Sequence, residues 1–206
     1  MLICGSFFKK ITKMNHYYEK LFDYVSEILI MPESDKELCR QLFKPVFVPK
    51  DTIIEKAGTV HQNHTFIVSG FMRNFYLDKD GNEITNDLND GSRFFTSYFN
   101  FMNRTVSNET VHTITDCELL QISRDDVDIA ASQGITQKDY TVQILNKRLE
   151  INKQRAFDMA NLTAEERYNK FMKENPNIIR HVPLGYIASF LGITQRHLSR
   201  LRKENR

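Results

Sequence analysis

Residues 184–201 read LGYIASFLGITQRHLSRL, and this stretch decides how the rest of the chain is read. Ile187, Ala188 and Leu191 fall on one face of a first short helix. Gly192 permits a sharp turn, Ile193 plugs it and Thr194 is placed to cap a second helix anchored by Leu198 and Leu201. Ala188 is small where two helices would cross closely, and Pro183 suits a first helical turn, where its missing N–H costs nothing. The pattern predicts a helix-turn-helix. A purely structural helical hairpin would have the same apolar positions. It would not explain the outward set Gln195, Arg196, His197, Ser199, Arg200 and Lys203. Long donors at the start of a second helix suit bases and phosphates of a major groove. Thr194 and the helix N-terminus are expected on a phosphate, and Gln195, Arg196 and Arg200 on base edges. Arg202, Lys203 and Arg206 are expected to supply charge without sequence preference.

Upstream, residues 138–160 carry a seam of Val142, Leu145, Leu149, Asn152, Ala156 and Met159. The 3-4-3-4-3 spacing is a heptad register with one polar position, a known register-setting device. The seam is short enough to belong to a helix lying on its own domain. The charged residues Lys147, Arg148, Glu150, Lys153 and Arg155 favour a solvent-facing outer surface and hence a partner helix. Thr163-Ala164-Glu165-Glu166 forms a capping box opening a helix of about Ala164–Glu174. The three regions expected are 1–137, 138–160 and 161–206.

From Val46 to Ile122 short apolar runs alternate with turn signals: Val46–Val48, Thr52–Ile54, Thr65–Val68, Phe71–Leu77, Ile84–Leu88, Val111–Ile114 and Glu118–Ile122. Many short strands at such spacing predict a sandwich or barrel, with a hairpin turn at Leu77–Gly81. Before them, Tyr17, Leu21, Phe22, Val25, Ile28 and Leu29 recur at helical spacing. Pro32 interrupts the pattern ahead of a second helix near Ser34–Phe43.

The 206 residues carry 28 Lys+Arg against 26 Asp+Glu, so the net charge of +2 hides a polarised distribution. Asp78–Asp90 holds five acids and one base, and the last eleven residues hold five bases and one acid. A basic end points to a polyanionic partner. No apolar run reaches the ~20 residues of a membrane helix. The opening MLICGSFFKK lacks the order of a secretory signal, and Met14 is an alternative start. Cys4, Cys39 and Cys117 form no Cys-x-x-Cys pair, which disfavours disulfide, zinc and iron–sulfur frameworks and fits a reducing cytoplasm. No P-loop, nucleophile elbow or dinucleotide-binding glycine pattern occurs. No cofactor is expected.

With these parts in order, the chain from Tyr17 onward resembles the Crp/Fnr family (cyclic-AMP receptor and fumarate–nitrate regulator). The similarity is strongest in Ile67–Asp87 (IVSGFMRNFYLDKDGNEITND), Asp116–Asp125 (DCELLQISRD) and Leu162–Lys203. It implies an α+β chain: N-terminal helices, a jelly-roll β-barrel like a cyclic-nucleotide-binding domain, a long dimerisation helix and a C-terminal helix-turn-helix. It further implies a homodimeric, non-enzymatic transcription regulator on double-stranded DNA with an imperfect palindrome, RNA polymerase as a potential partner and a small-molecule effector.

The chain departs from that family in two places. Members that bind cyclic AMP resemble one another in a Gly-Glu pair after the loop glycine and an Arg-Ser pair on a later strand. Here Phe95-Thr96 and Ser107-Asn108 stand at those positions, so no response to cyclic AMP is expected. Arg93 and Arg104 are the candidate replacement cations for an effector pocket, beside an apolar segment (Phe94, Phe95, Tyr98, Phe99, Phe101) that fits a filled core or a greasy pocket. The small hairpin that follows the recognition helix in the family has no counterpart before Arg206. A rival reading is a metal-dependent jelly-roll enzyme, or a small-molecule-binding module, using His61, His64 and His112 with Glu55 or Glu109. The sequence lacks the tighter His-x-His pattern of such sites.

Overall fold

The runs with period-two alternation become strands whose two faces feed different cores. The computed structural model describes residues 3–204, with side chains from residue 15. Arg206 and the side chain of Cys4 lie outside the described residues. Seven strands fall on the seven predicted runs: β1 (Lys44–Val48), β2 (Ile53–Glu55), β4 (Asn63–Ser69), β5 (Met72–Leu77), β6 (Glu83–Leu88), β9 (Thr110–Thr113) and β10 (Cys117–Ser123). Three short strands and a helical turn were not visible in the pattern: β3 (Thr59–Val60), β7 (Arg93–Phe95), β8 (Val106–Ser107) and α3 (Tyr98–Asn103).

The strands pair antiparallel into two four-stranded sheets, β1-β10-β4-β7 and β2-β9-β5-β6, with β3-β8 as a small third. Ile67, Met72, Phe95, Val111, Cys117 and Leu119 fill the space between the sheets. On the opposite face of the first sheet, Phe66, Val68, Leu120 and Ile122 meet the N-terminal helix. Each such side chain contributes about 1.5–3 kcal/mol on burial. The Asp78 carboxylate organises the predicted hairpin turn by accepting the N–H of Asp80 at 2.9 Å and that of Asn82 at 2.9 Å. At the β4–β5 turn Gly70 adopts φ +100°, and a Cβ there would lie 2.5 Å from the Asp116 carbonyl oxygen.

Helices flank this roll. α1 (Ile3–Ser26) and α2 (Glu33–Leu42) precede it, and Tyr17, Tyr18, Leu21 and Val25 pack onto it. α4 (Arg124–Gln133) and α5 (Gln137–Asn161) follow, then α6 (Ala164–Glu174), α7 (Ile178–His181), α8 (Leu184–Phe190) and α9 (Gln195–Glu204). Buried Asp35 of α2 fixes the start of α5. Its carboxylate accepts the N–H of Ile135 at 3.0 Å, the N–H of Thr136 at 2.8 Å and the Thr136 hydroxyl at 2.7 Å. Burial alone would raise that carboxyl, but these donors more than offset it and hold its pKa below the ordinary value. The capping box before α6 forms as expected: the Glu166 N–H donates to Thr163 Oγ1, and the Thr163 N–H donates to the Glu166 carboxylate. Among the described residues, no helix is long and apolar enough to cross a membrane.

Candidate nucleic-acid interface and sensor cavity

The helix-turn-helix forms where the sequence placed it. Ile187, Ala188, Leu191, Leu198 and Leu201 are buried together with Tyr168, Phe171 and Ile178. Gly192 takes φ +68° at the turn, and a Cβ there would meet the Met159 side chain, its methyl at 2.7 Å and its sulfur at 3.7 Å. Thr194 caps α9 by accepting the His197 N–H at 3.2 Å. Gln195, Arg196, Arg200 and Lys203 are exposed, whereas His197, Ser199 and Arg202 are half-buried. Among the described residues Arg200 makes a loose i,i+4 ion pair with Glu204 at 3.9 Å, and its side chain is 67 % exposed. The outward side chains therefore form one donor-rich face.

The helix-turn-helix is not suspended freely. Arg73, buried on β5, stacks its guanidinium 3.6 Å above the ring of Tyr186 on α8, and Phe71 stacks on His181 at 4.6 Å. The Thr85 N–H of β6 donates to Ser189 Oγ at 2.9 Å. Arg155 of α5 joins three elements: it donates to the carbonyl of Asn86 on β6 and, at 3.1 Å, to that of Phe190 on α8. It also stacks on the Phe190 ring at 4.0 Å. These contacts between roll and helix-turn-helix left no periodic signal in the sequence.

α5 presents two faces. Val142, Leu145, Leu149 and Met159 of the predicted seam are exposed, Leu149 by 67 %, as are Asn152 and Ala156. Ile151 and Phe157 widen the exposed apolar strip beyond the heptad positions. Met159 also touches the turn at Gly192. The opposite face corrects one expectation. Arg148 and Arg155 do not belong to a solvated outer surface but turn inward with Tyr140 and Ile144, because the roll supplies acceptors for them. Arg148 donates to Asp87 Oδ2 at 2.9 Å, while Arg93 of β7 donates to Asp87 Oδ1 at 2.6 Å. Burial would raise the Asp87 carboxyl, yet the two guanidiniums hold it below the ordinary range.

A cavity of about 1200 Å³ opens between α5, the N-terminal helices and the roll. Val142, Leu145 and Leu149 form part of its wall. Of the six residues expected at an effector pocket, only Arg93 and Thr96 line it. Phe95 and Ser107 are buried within the roll, and Asn108 lies outside the cavity wall. Arg104, with φ +53° at the end of α3, turns to the surface and pairs with Asp125 at 2.6 Å. The six are therefore not one site. The sequence missed Asn74, Asn86, Asp87, Asp90, Tyr140 and Arg148, which line the cavity from separate elements. The guanidiniums of Arg93 and Arg148 on this wall are both held by Asp87.

The histidines of the metal reading do not converge. The His61 ring contacts the Glu109 carbonyl oxygen through Nε2 at 3.1 Å. His64 lies flat on Phe94 at 4.5 Å, and burial pushes its pKa down to about 3. His112 Nδ1 accepts from Arg73 at 3.3 Å. Among the described residues, no group of three or more metal-binding side chains occurs.

Residues 45–133 match the family described as the cyclic nucleotide-binding domain. No curated protein matches the chain. FixK2 from Bradyrhizobium japonicum is similar in structure with a TM-score of 0.68 at 17 % identity, over 79 % of this chain and 84 % of that one. The c-di-GMP-responsive global regulator CLP from Xanthomonas campestris gives 0.65 at 16 %, over 84 % and 91 %. A protein assigned to the Crp/Fnr family of transcriptional regulators, from Eubacterium rectale, gives 0.63 at 18 %, over 84 % and 83 %. Residues 45–133 are thus similar to a cyclic nucleotide-binding domain, and the chain shares the fold of these three proteins.

Proposed function

We propose that the chain is a sequence-specific, DNA-binding transcription regulator that works as a homodimer and does not respond to cyclic AMP. The observation that carries the reading is the donor-rich face of α9, where Gln195, Arg196, Arg200 and Lys203 stand exposed beyond a turn that packs well. Gln195, Arg196 and Arg200 read bases, and Thr194, Lys203 and Arg202 hold phosphates; His197 and Ser199 complete the face. The exposed strip Val142–Met159 on α5 seats a second copy. A two-fold dimer then sets its recognition helices about 34 Å apart, in successive major grooves, on an imperfect palindrome. The three working parts are the roll with its preceding helices (1–137), the dimer helix (138–160) and the reading head (161–206). Indifference to cyclic AMP follows from the Asp87 carboxylate, which holds the cations an anionic effector needs. The partners are then DNA and a second copy in the cytoplasm, with RNA polymerase the natural recipient of the signal.

The test is fluorescence anisotropy of the purified protein on its own upstream DNA, across a salt series, with and without cyclic AMP. Tighter binding than to scrambled DNA is expected, unaltered by the nucleotide, with a salt slope that counts phosphate contacts. Arg196→Ala or Arg200→Ala is expected to cost about 1–3 kcal/mol on the specific site and less on scrambled DNA. Equal affinity for both DNAs, or a cyclic-AMP-dependent rise, overturns the corresponding part of the reading.

A further inference from the structure

Gly185 is a glycine that its backbone does not require. It stands second in α8 (Leu184–Phe190), and it is not among the glycines of the chain with positive φ. A glycine inside a helix is less stable than an alanine. The core does not require it either: Ile187 and Ala188 form the buried side of α8, and Gly185 is half-buried. A Cβ built there shows what the missing methyl would displace. Beyond the adjoining residues and the backbone of α8, it would meet Gln195 alone among the described residues, with Oε1 at 3.3 Å and Cδ at 4.0 Å. The contact at 3.3 Å is tighter than side chains ordinarily make, so an added methyl would push the carboxamide from its place.

Gln195 opens α9 and is otherwise exposed. The two helices belong to one packed unit. Ile187 and Ala188 are buried with Leu198 and Leu201, and the Ile193 N–H donates to the Ala188 carbonyl at 3.0 Å. Immobilising a long side chain on binding costs affinity, and a carboxamide already resting on α8 has part of that cost removed. A carboxamide presents a donor and an acceptor side by side, the pair that adenine answers with N6 and N7 in the major groove. We propose that Gly185 is a specificity-determining position: the space left by its missing side chain seats the Gln195 carboxamide, and Gln195 so seated reads an adenine in each half-site. Gly185 is a positioning residue that acts through Gln195 and touches no base itself. This role rests on the DNA-binding reading above.

The duplex that the full chain protects within its own upstream DNA serves as reference, and a panel changes each of its base pairs in turn. Affinities are read by competition anisotropy for wild type, Gly185→Ala, Gln195→Ala and the double variant. Wild type is expected to lose about tenfold when one A·T pair of a half-site is changed. Gln195→Ala is expected to erase the preference at that pair alone. Gly185→Ala is expected to weaken the reference duplex about threefold to tenfold and to reduce the preference at the same pair. In the Gln195→Ala background, Gly185→Ala is expected to leave DNA affinity unaltered. Its own thermal unfolding midpoint is expected at or above that of wild type. Preference lost evenly over every pair, a loss that persists without Gln195, or a lowered midpoint makes Gly185 a merely structural position and overturns the inference. A G·C pair as the one that Gln195→Ala flattens overturns the adenine assignment. Wild type that binds scrambled DNA as tightly as the reference overturns the DNA reading and this role with it. Wild-type discrimination that Gly185→Ala leaves intact overturns this role alone.

Discussion

Replacing Asp87 by Ala removes one carboxylate that answers two guanidiniums on different elements, Arg93 on β7 and Arg148 on α5. Breaking a buried ion pair by deleting one partner costs about 3–5 kcal/mol when the remaining charge is trapped. Neither arginine is fully trapped here. Arg93, 16 % exposed, keeps a hydrogen bond to the Leu88 carbonyl at 2.9 Å and its stack on Phe95 at 4.6 Å. Arg148, 35 % exposed, can turn to water, so its share is reduced to the ~0.5–1 kcal/mol of a screened pair. The expected loss for Asp87→Ala is therefore about 2–3 kcal/mol at neutral pH, a large part of a typical ~5–15 kcal/mol total. The direction with pH follows from a carboxyl whose folded pKa is depressed. Its contribution is fully present above the unfolded carboxylate value near 3.9 and disappears as pH falls through the lower folded value. Denaturant unfolding of wild type and variant should thus differ by a constant amount from neutrality down to about pH 5, with the gap closing in stronger acid. Double-mutant cycles should give a larger coupling of Asp87 with Arg93 than with Arg148. A loss below about 0.5 kcal/mol, or a larger coupling with Arg148, refutes the reasoning.

Three other perturbations follow from the same geometry. Arg155→Ala removes two hydrogen bonds from a charged donor and a ring stack, about 2–3 kcal/mol of docking between β6, α5 and α8; amide hydrogen exchange should rise around Thr85 and Ser189 while the core between the sheets is unaffected, and unaltered exchange at both would contradict it. Gly192→Ala should cost about 1–2 kcal/mol for its positive φ, because the Met159 methyl can move aside. Gly70→Ala should cost about 3 kcal/mol or more, since its neighbours there are the Asp116 carbonyl and Cys117 Sγ; thermal unfolding that ranks the two in the opposite order sinks the steric argument. Asp35→Ala orphans the N–H groups of Ile135 and Thr136, a loss of about 2–4 kcal/mol by chemical denaturation; with its folded pKa lowered, this stabilisation too is lost only as pH drops below the ordinary carboxylate range, and a variant as stable as wild type at neutral pH would refute the tie.

What the sequence made legible was whatever repeats at a fixed period or punctuates one. Thr163 and Glu166 announced a capping box that forms atom for atom, and Gly192 with Thr194 marked the turn and cap of the reading head. The seven main strands were visible as apolar runs because each feeds a core on at least one face. β7 was hidden because Arg93 sits in a run of aromatics that looked like a filled core, and β3 and β8 are two residues each. The cavity was illegible for a different reason. Asn74, Asn86, Asp90, Tyr140 and Arg148 come from four separate segments, and no spacing rule joins them. Matching residues to a relative's nucleotide pocket named Arg104 and Ser107, which the fold places on the surface and inside the roll.

α5 shows why one periodic pattern carried half the information and concealed the rest. Counting apolar residues at heptad spacing picked out the outer strip, where Val142, Leu145 and Leu149 stand unpartnered. The inner face reads Tyr140, Ile144, Arg148 and Arg155, and its two arginines look like solvent residues by composition alone. They are inward because Asp87 and the backbone of β6 and α8 offer acceptors that a solvated helix does not have. The same helix therefore binds the roll through charge and would bind a second copy through apolar area. Asp87 thus ties α5 to the roll through Arg148, beside the hold of Arg155 on β6 and α8. An anion would have to win both arginines from a carboxylate already placed on them at 2.6 and 2.9 Å.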